Sequence, residues 1–270
     1  MTKTPEYSAH IGYLFTDLPL AARIAAAARA GFRAVEHPAP YQIPAPEMAQ
    51  HLRQAGLRYT QFGLRSGDAA KGEKGIGIFS ARRAEFRETL IEALDYAATI
   101  GVRMVHAMSG ILPAQDRRPE HFETYVDNLV LAARMAAERG ITILIEPMSV
   151  AAVPDYFIAT PAEARAAIKA TGEPNIGILL DIFHTAAAGL SIPQTIAENA
   201  ALIRHVHIAD YPGRHEPGSA GIAFDLVRGC LAQAGYAGAL GCEYSPATTT
   251  EAGLGWLRQQ LNIPMTEALS

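Results

Sequence analysis

Four times in this sequence a glycine separates a segment of helical period from a short apolar run, in ARAGF, RQAGL, AERGI and AQAGY. Glycine adopts the left-handed conformation in which many helices end, so each segment predicts a helix that stops just before a strand begins. Repetition of this junction is typical of consecutive βα units. The chain is therefore expected to form parallel strands covered by helices.

Eight apolar or β-branched runs have the length and composition of strands. They cover residues 8 to 14, 34 to 37, 58 to 63, 103 to 108, 141 to 147, 175 to 181, 204 to 210 and 239 to 244. The intervening segments carry helix signals. In TPAEARAAIKATG, Thr160 is suited to cap a helix, Pro161 to begin it and Gly172 to end it.

Eight βα units in 270 residues predict one (β/α)8 TIM-barrel domain over residues 1 to 270, at roughly 31 residues per unit of a typical barrel. A doubly wound open sheet is the alternative. No GxGxxG follows the first strand, however, so the dinucleotide-binding form of that fold has little support.

Charge and composition exclude several classes of protein. A formal net charge of −4 gives no general attraction to nucleic acid or to anionic lipid. The start MTKTPEYSAHIGYLF lacks a signal-peptide pattern, and no run approaches the 18 apolar residues of a membrane span, so a cytoplasmic protein is expected. Cys230 and Cys242 are too few for a disulfide framework and lie in no metal-binding spacing.

Four polar residues stand at the ends of consecutive predicted strands. They are Glu146 in LIEP, Asp181 in LLDIFH, His207 in HVHIAD and Glu243 in GCEY, and successive members are 35, 26 and 36 residues apart. Each separation is about one βα unit, and active sites of TIM barrels lie at the carboxyl ends of the strands. We therefore expect the four side chains to lie side by side at one half of the barrel mouth.

Three carboxylates and one imidazole in a small volume need a counter-charge, because like charges raise one another's pKa. A divalent cation would supply it. An oxygen-rich set without thiolate favours Mg²⁺ or Mn²⁺, with Co²⁺ or Zn²⁺ as alternatives. The competing interpretation is that each residue is an isolated strand-end group that caps a neighbouring loop.

The motifs ILIEPMS, LLDIFHT, HVHIADYPGRHEPG and GCEYSP resemble those of the hydroxypyruvate isomerase family, a group of xylose-isomerase-like TIM barrels. The similarity extends from about Tyr7 to Leu257. The resemblance implies an isomerase that moves a proton between adjacent carbons of a small hydroxy-oxo acid through an enediolate. Hydroxypyruvate, tartronate semialdehyde and 2-oxo-tetronates are the substrates it suggests.

The resemblance also implies roles for the four strand-end residues. Glu146, Asp181, His207 and Glu243 would bind one divalent metal ion. Glu146 and Glu243 would in addition form the catalytic acid-base pair on opposite sides of the substrate. Such a pair is chemically reasonable, since a carboxylate that reaches the C–H group can remove its proton.

Three further residues are expected to bind substrate. Arg214 follows strand seven and would bind a substrate carboxylate, its alternative being a surface ion pair with Glu216. His184 matches a substrate-binding histidine of the family, its alternative being a helix-start histidine satisfied by backbone. Glu36 ends strand two at a pocket-facing family position, where it would bind substrate or His10.

Departures from the family pattern bear on the substrate. Ser149 stands where the family commonly has asparagine, and Val150, Ala151 and Ala152 follow where an arginine-aspartate pair is common. Arg65 stands where proline is common, which suggests a relocated contact for an anionic group. A longer or branched oxo acid is therefore as plausible as hydroxypyruvate.

Other activities are possible on the same scaffold. An oxo-acid decarboxylase or a ketose 3-epimerase would use the same metal site, and a non-enzymatic sugar-acid binding protein would not need its chemistry. A zinc-dependent DNA-repair endonuclease needs more histidine and aspartate ligands and a basic surface, which the acidic balance opposes. The family suggests a homo-oligomer, although no residue identifies an interface.

Overall fold

Parallel strands alternate with helices along the whole of the computed structural model, which describes residues 6 to 261. The strands in this range are β1 (Tyr7–His10), β2 (Ala34–Glu36), β3 (Arg58–Tyr59), β4 (Phe62–Gly63), β5 (Met104–His106), β6 (Thr142–Ile145), β7 (Ile176–Asp181), β8 (Ile203–Ile208) and β9 (Leu240–Cys242). Each predicted strand has a counterpart, and the strands are shorter than predicted because the ladder stops where chains turn into loops.

The third predicted strand, residues 58 to 63, is interrupted in the structure. Only Thr60 and Gln61 separate β3 from β4. The first half pairs with β2 and the second half with β5, while the remaining strands follow in the order β2, β1, β9, β8, β7, β6, β5. The two halves therefore join the ends of the sheet, and the predicted TIM barrel is confirmed.

Helices surround this sheet. They are α1 (Leu20–Arg29), α2 (Ala45–Ala55), α3 (Arg83–Ile100), α4 (Pro119–Ala137), α5 (Pro161–Thr171), α6 (Ile182–Ala187), α7 (Ile192–Asn199), α8 (Phe224–Gln233), α9 (Thr250–Gly253) and α10 (Gly255–Leu261). Thr160 caps α5 in a reciprocal arrangement with Glu163, and Gly172 ends it at a φ of 65°. No helix within residues 6 to 261 combines the length and the apolar character needed to cross a bilayer.

Strand alternation separates an apolar layer from a polar interior. In β8, Val206 and Ile208 belong to the apolar core, whereas His205 and His207 are buried among polar groups. Side chains of successive strand residues point to opposite faces, so the two histidines share the barrel interior. Asp181 is the register partner of His207 across the β7–β8 ladder. This pairing sets the position of the site.

Candidate active site

The four strand-end residues lie together at the barrel mouth. Glu146, Asp181, His207 and Glu243 each offer one ligand atom within 4.8 Å of the others. His207 Nδ1 lies 3.1 Å from Glu243 Oε2 and 3.7 Å from Glu146 Oε1. Three of the four are buried, and the Glu243 side chain is 13% exposed. The cluster is open toward solvent mainly at Glu243.

Local backbone structure orients Asp181. It is the last residue of β7 and also the N-cap of α6, so its Oδ1 accepts hydrogen bonds from the main-chain N–H groups of Phe183 and His184, at 2.7 and 3.4 Å. Capping groups of this kind satisfy the first amides of a helix. Oδ2 is left to face the cluster, where it contacts Arg214.

Each of the three carboxylates has a buried histidine beside it. The closest N–O pairs are His10 with Glu243 at 3.3 Å, His106 with Glu146 at 3.7 Å and His184 with Asp181 at 3.9 Å. Burial lowers the pKa of His10 and of His106 despite the nearby carboxylates, so both imidazoles are neutral at pH 7. A neutral imidazole still donates one hydrogen bond, which can orient its carboxylate.

One of these histidines, His10, differs from expectation. His10 lies beside Glu243 and is not hydrogen-bonded to Glu36, because Glu36 is turned toward β8. His106 Nδ1 lies beside Glu146 Oε2. His184 lies 3.4 Å from Ser149 Oγ as well as near Asp181. Its predicted contact with substrate stays a prediction.

Arg214 lies over the cluster. Its Nη2 donates to Glu243 Oε2 at 2.5 Å and to Asp181 Oδ2 at 3.1 Å. The guanidinium packs over the Phe183 ring, 4.8 Å from its centroid, which supplies a cation–π contact. The alternative pairing with Glu216 is wrong, because Glu216 accepts hydrogen bonds from the main-chain N–H of Ala247.

The loop that carries Arg214 is held by Asp210, a residue that the sequence interpretation did not single out. The buried Asp210 carboxylate accepts main-chain hydrogen bonds from Tyr211, Gly218, Ala220 and Ile222. Ser245 N–H also donates to the main-chain oxygen of Arg214, whose φ is 56°. The signal available in the sequence was an aspartate directly after a strand and before several glycines, a pattern typical of a loop closed on a side chain.

Glu36 is turned toward β8, so its predicted hydrogen bond with His10 is wrong, while its predicted contact with substrate stays a prediction. It is fully buried beneath His207, where Oε2 lies 2.8 Å from His205 Nε2 and Oε1 lies 3.2 Å from His207 Nε2. Thr60 Oγ1 donates to the same carboxylate. Burial alone would raise the pKa of Glu36, but His205 and His207 bring it well below its ordinary value. The carboxylate is therefore ionised.

Arg65 forms an ion pair within the protein. Its Nε and Nη2 donate to the two carboxylate oxygens of Glu92 on α3, at 2.6 and 2.8 Å, and its guanidinium lies over the Tyr41 ring. Two parallel hydrogen bonds to one carboxylate are a strong pairing for an arginine. Arg65 is therefore paired with a carboxylate of the protein itself, and its predicted contact with an anionic group of the substrate stays a prediction.

The donor set fits a divalent cation. His207 Nδ1 is buried, has no hydrogen-bond partner within the described range, and faces the carboxylates of Glu146 and Glu243. Burial would raise the pKa of Glu243, but His207 and Arg214 hold it well below its ordinary range, so this carboxylate is ionised. Hard oxygen ligands with one imidazole nitrogen suit Mg²⁺ or Mn²⁺.

Comparison with known proteins agrees with the geometry. Residues 24 to 260 match the family described as Xylose isomerase-like TIM barrel. A 2-oxo-tetronate isomerase from Cupriavidus necator is 36% identical over 257 residues, covering 95% of this chain and 99% of the relative. A hydroxypyruvate isomerase from Escherichia coli is 35% identical over 251 residues, covering 93% and 97%.

A solved structure agrees as well. The crystal structure described as AP endonuclease, family 2 from Brucella melitensis is 36% identical, has a TM-score of 0.92, and covers 94% of this chain and 98% of its own. All four strand-end residues fall within the region that matches the family model.

Proposed function

This chain belongs to the xylose isomerase-like TIM-barrel family, and from that premise we propose that it is an isomerase of small hydroxy-oxo acids that works through an enediolate at a divalent-metal site. The observation that carries the proposal is the convergence of Glu146, Asp181, His207 and Glu243 within 4.8 Å. These four residues would hold the metal ion.

When bound, a divalent cation supplies Lewis-acid stabilisation of the negative charge that develops on substrate oxygens. Glu146 and Glu243 flank His207 and belong to opposite sides of the cluster, following β6 and β9. One carboxylate would remove the proton from the hydroxyl-bearing carbon, and the other, as the carboxylic acid, would protonate the former carbonyl carbon. The hydroxyl proton would pass to the former carbonyl oxygen, so that carbonyl and hydroxyl exchange places. Glu243 is ionised, which is the form that can accept a proton.

Arg214 is the proposed partner of the substrate carboxylate. Its guanidinium carries several donors in a fixed fork, which matches a carboxylate better than a neutral hydroxyl group. The loop anchored by Asp210 holds it at the mouth. His184 is proposed as a second polar contact, with Ser149 beside it.

The substrate class rests on the relatives and on the mouth of the barrel. Both 2-oxo-tetronate isomerases and a hydroxypyruvate isomerase are similar over nearly the whole chain. The short side chains of Ser149, Ala151 and Ala152 leave the β6 loop without the larger polar groups common in the family. We propose a four-carbon 2-oxo acid as the first substrate to test, followed by hydroxypyruvate.

The experiment is solvent deuterium exchange measured by proton NMR. The protein is incubated in D₂O with 2-oxo-tetronates, hydroxypyruvate and neutral ketoses, with Mg²⁺ or Mn²⁺ and again after EDTA. Metal-dependent exchange at a carbon next to a carbonyl, with isomer formation, is the expected result. Release of CO₂ would instead establish a decarboxylase, C3 inversion of a ketose an epimerase, and binding without exchange a sugar-acid binding protein.

A further inference from the structure

A carboxylate lies buried beneath the candidate metal site, outside the four residues that would hold the metal ion. Glu36 is fully buried, and its oxygens lie 2.8 Å from His205 Nε2 and 3.2 Å from His207 Nε2. Burying an ionised group is costly unless it is paired and hydrogen-bonded. The role of Glu36 therefore depends on its contacts with His205 and His207.

The geometry determines which imidazole nitrogens carry hydrogen. Glu36 Oε2 accepts from Thr60 Oγ1 and lies 2.8 Å from His205 Nε2, which places an N–H on that nitrogen. Oε1 has no hydrogen-bond partner among the described residues but lies 3.2 Å from His207 Nε2, so an N–H on that nitrogen is the donor that faces it. Gln61 is compatible with this form: its amide lies 3.4 Å from His207 Nε2, and a rotated amide presents its oxygen to that N–H. In the neutral ring, the lone pair of His207 is then on Nδ1, the atom that faces Glu146 and Glu243.

Gly241 independently indicates that space is reserved for this carboxylate. It is the register partner of His207 across the β8–β9 ladder. A Cβ atom at position 241 would overlap Glu36 Oε1 and would lie 2.7 Å from His207 Cδ2. Any residue other than glycine would therefore displace Glu36, His207 or both.

We propose that Glu36 is a positioning residue that holds His207 with Nε2 protonated and Nδ1 directed at the metal, and that Gly241 makes room for it. This inference rests on the proposed metal site. Outer carboxylate partners of metal-bound histidines fix the ring and the tautomer, and their loss typically costs about 10- to 100-fold in metal affinity. His205 completes the network by donating to the second oxygen of Glu36.

Mn²⁺ affinity of the full chain, followed by electron paramagnetic resonance of free Mn²⁺, is the first measurement. Glu36→Gln and Gly241→Ala are each expected to raise the Kd about 10- to 100-fold. Gly229→Ala is the matched control, because a Cβ atom there meets no neighbouring atom within 4 Å. Unchanged Mn²⁺ affinity in both folded variants, even with a lower melting temperature, would overturn the proposal.

Nitrogen-15 NMR of the histidine rings in the metal-free wild-type chain supplies a second measurement that needs no Mn²⁺ binding. His207, assigned by comparison with His207→Asn, is expected to carry a proton at Nε2. An unprotonated Nε2 would overturn the role of Glu36 directly. If wild-type protein fails to bind Mn²⁺ yet shows the expected Nε2–H, the metal function fails while the positioning of His207 by Glu36 stands.

Discussion

Arg214 is joined to Glu243 twice, through the carboxylate at 2.5 Å and through the main-chain carbonyl at 3.3 Å. The proposed substrate-binding cation and one proposed proton carrier are thus held against each other by a loop that is itself hydrogen-bonded to Ser245. A substrate carboxylate that engages Arg214 would consequently be placed beside Glu243.

Glu243→Gln is expected to lower kcat by about 10²- to 10⁴-fold, the usual contribution of a positioned acid-base group. The amide keeps the size of the side chain but cannot accept a proton from carbon. Steady-state kinetics on the substrate found by deuterium exchange measures the loss, with circular dichroism to verify the fold. Wild-type turnover in this variant would eliminate the two-carboxylate mechanism.

Arg214→Ala is expected to raise KM for acid substrates by about 10- to 100-fold, in line with about 1.5 to 3 kcal/mol for hydrogen bonds to a charged group. Neutral ketoses should be affected less. Arg65→Ala is the matched control, because Arg65 pairs with Glu92 in a half-exposed position that contributes about 0 to 1 kcal/mol. Equal effects of Arg214→Ala on acid and neutral substrates would contradict carboxylate recognition.

Metal binding should stabilise the fold. At a Mn²⁺ concentration of about 100 times its Kd, the free energy of unfolding should rise by about 2.7 kcal/mol. The melting temperature measured by scanning calorimetry, with Mn²⁺ and then with excess EDTA, checks this effect. In Glu146→Gln the Mn²⁺-dependent rise should shrink, and a full rise there would place the ion elsewhere.

Stability should fall in mild acid partly because of His37. Burial, with His10 and Arg23 nearby, lowers the pKa of His37 to about 4 from an ordinary value near 6.5. Between these values the unfolded chain binds the proton and the folded chain does not, so the free energy of unfolding decreases as pH falls through this window. Urea denaturation at pH 7 and pH 4.5 should show a smaller decrease for His37→Gln than for wild type.

The half-exposed His51 on α2 offers a matched control for that experiment. His51→Gln removes a histidine from the surface of a helix and provides the reference for the loss of one imidazole. If His37→Gln behaves in the same way as His51→Gln, the pH dependence arises from other groups.

The sequence predicted the barrel and the main cluster for the same physical reason. Strand ends recur once per βα unit and alternation selects the inward face, so Asp181 and His207 were placed correctly without knowledge of any distance. Depth inside the barrel has no such periodic signal. Glu36 and Glu243 both stand at a strand end in the sequence. In the structure Glu243 belongs to the candidate metal site, whereas Glu36 lies beneath His207 in the space left by Gly241.

Pairings between distant segments were equally invisible in the sequence. Arg65 and Glu92 are 27 residues apart, and only the packing of α3 against the barrel brings them together. The role of Asp210 depends on how the following loop closes, since its four main-chain donors come from that loop. Such contacts follow from the finished fold rather than from local pattern.

The gap between β3 and β4, which consists of Thr60 and Gln61, is more than an irregularity in the barrel sheet. Thr60 hydrogen-bonds to Glu36, and the Gln61 amide lies 3.4 Å from His207 Nε2, so both residues of the gap contact groups at or directly beneath the candidate metal site. A redesign that restored an unbroken strand there would make the barrel more regular. It would also disturb the contacts of Thr60 with Glu36 and of Gln61 with His207. The two residues at which the barrel closes therefore also pack against the residues beneath the candidate metal site.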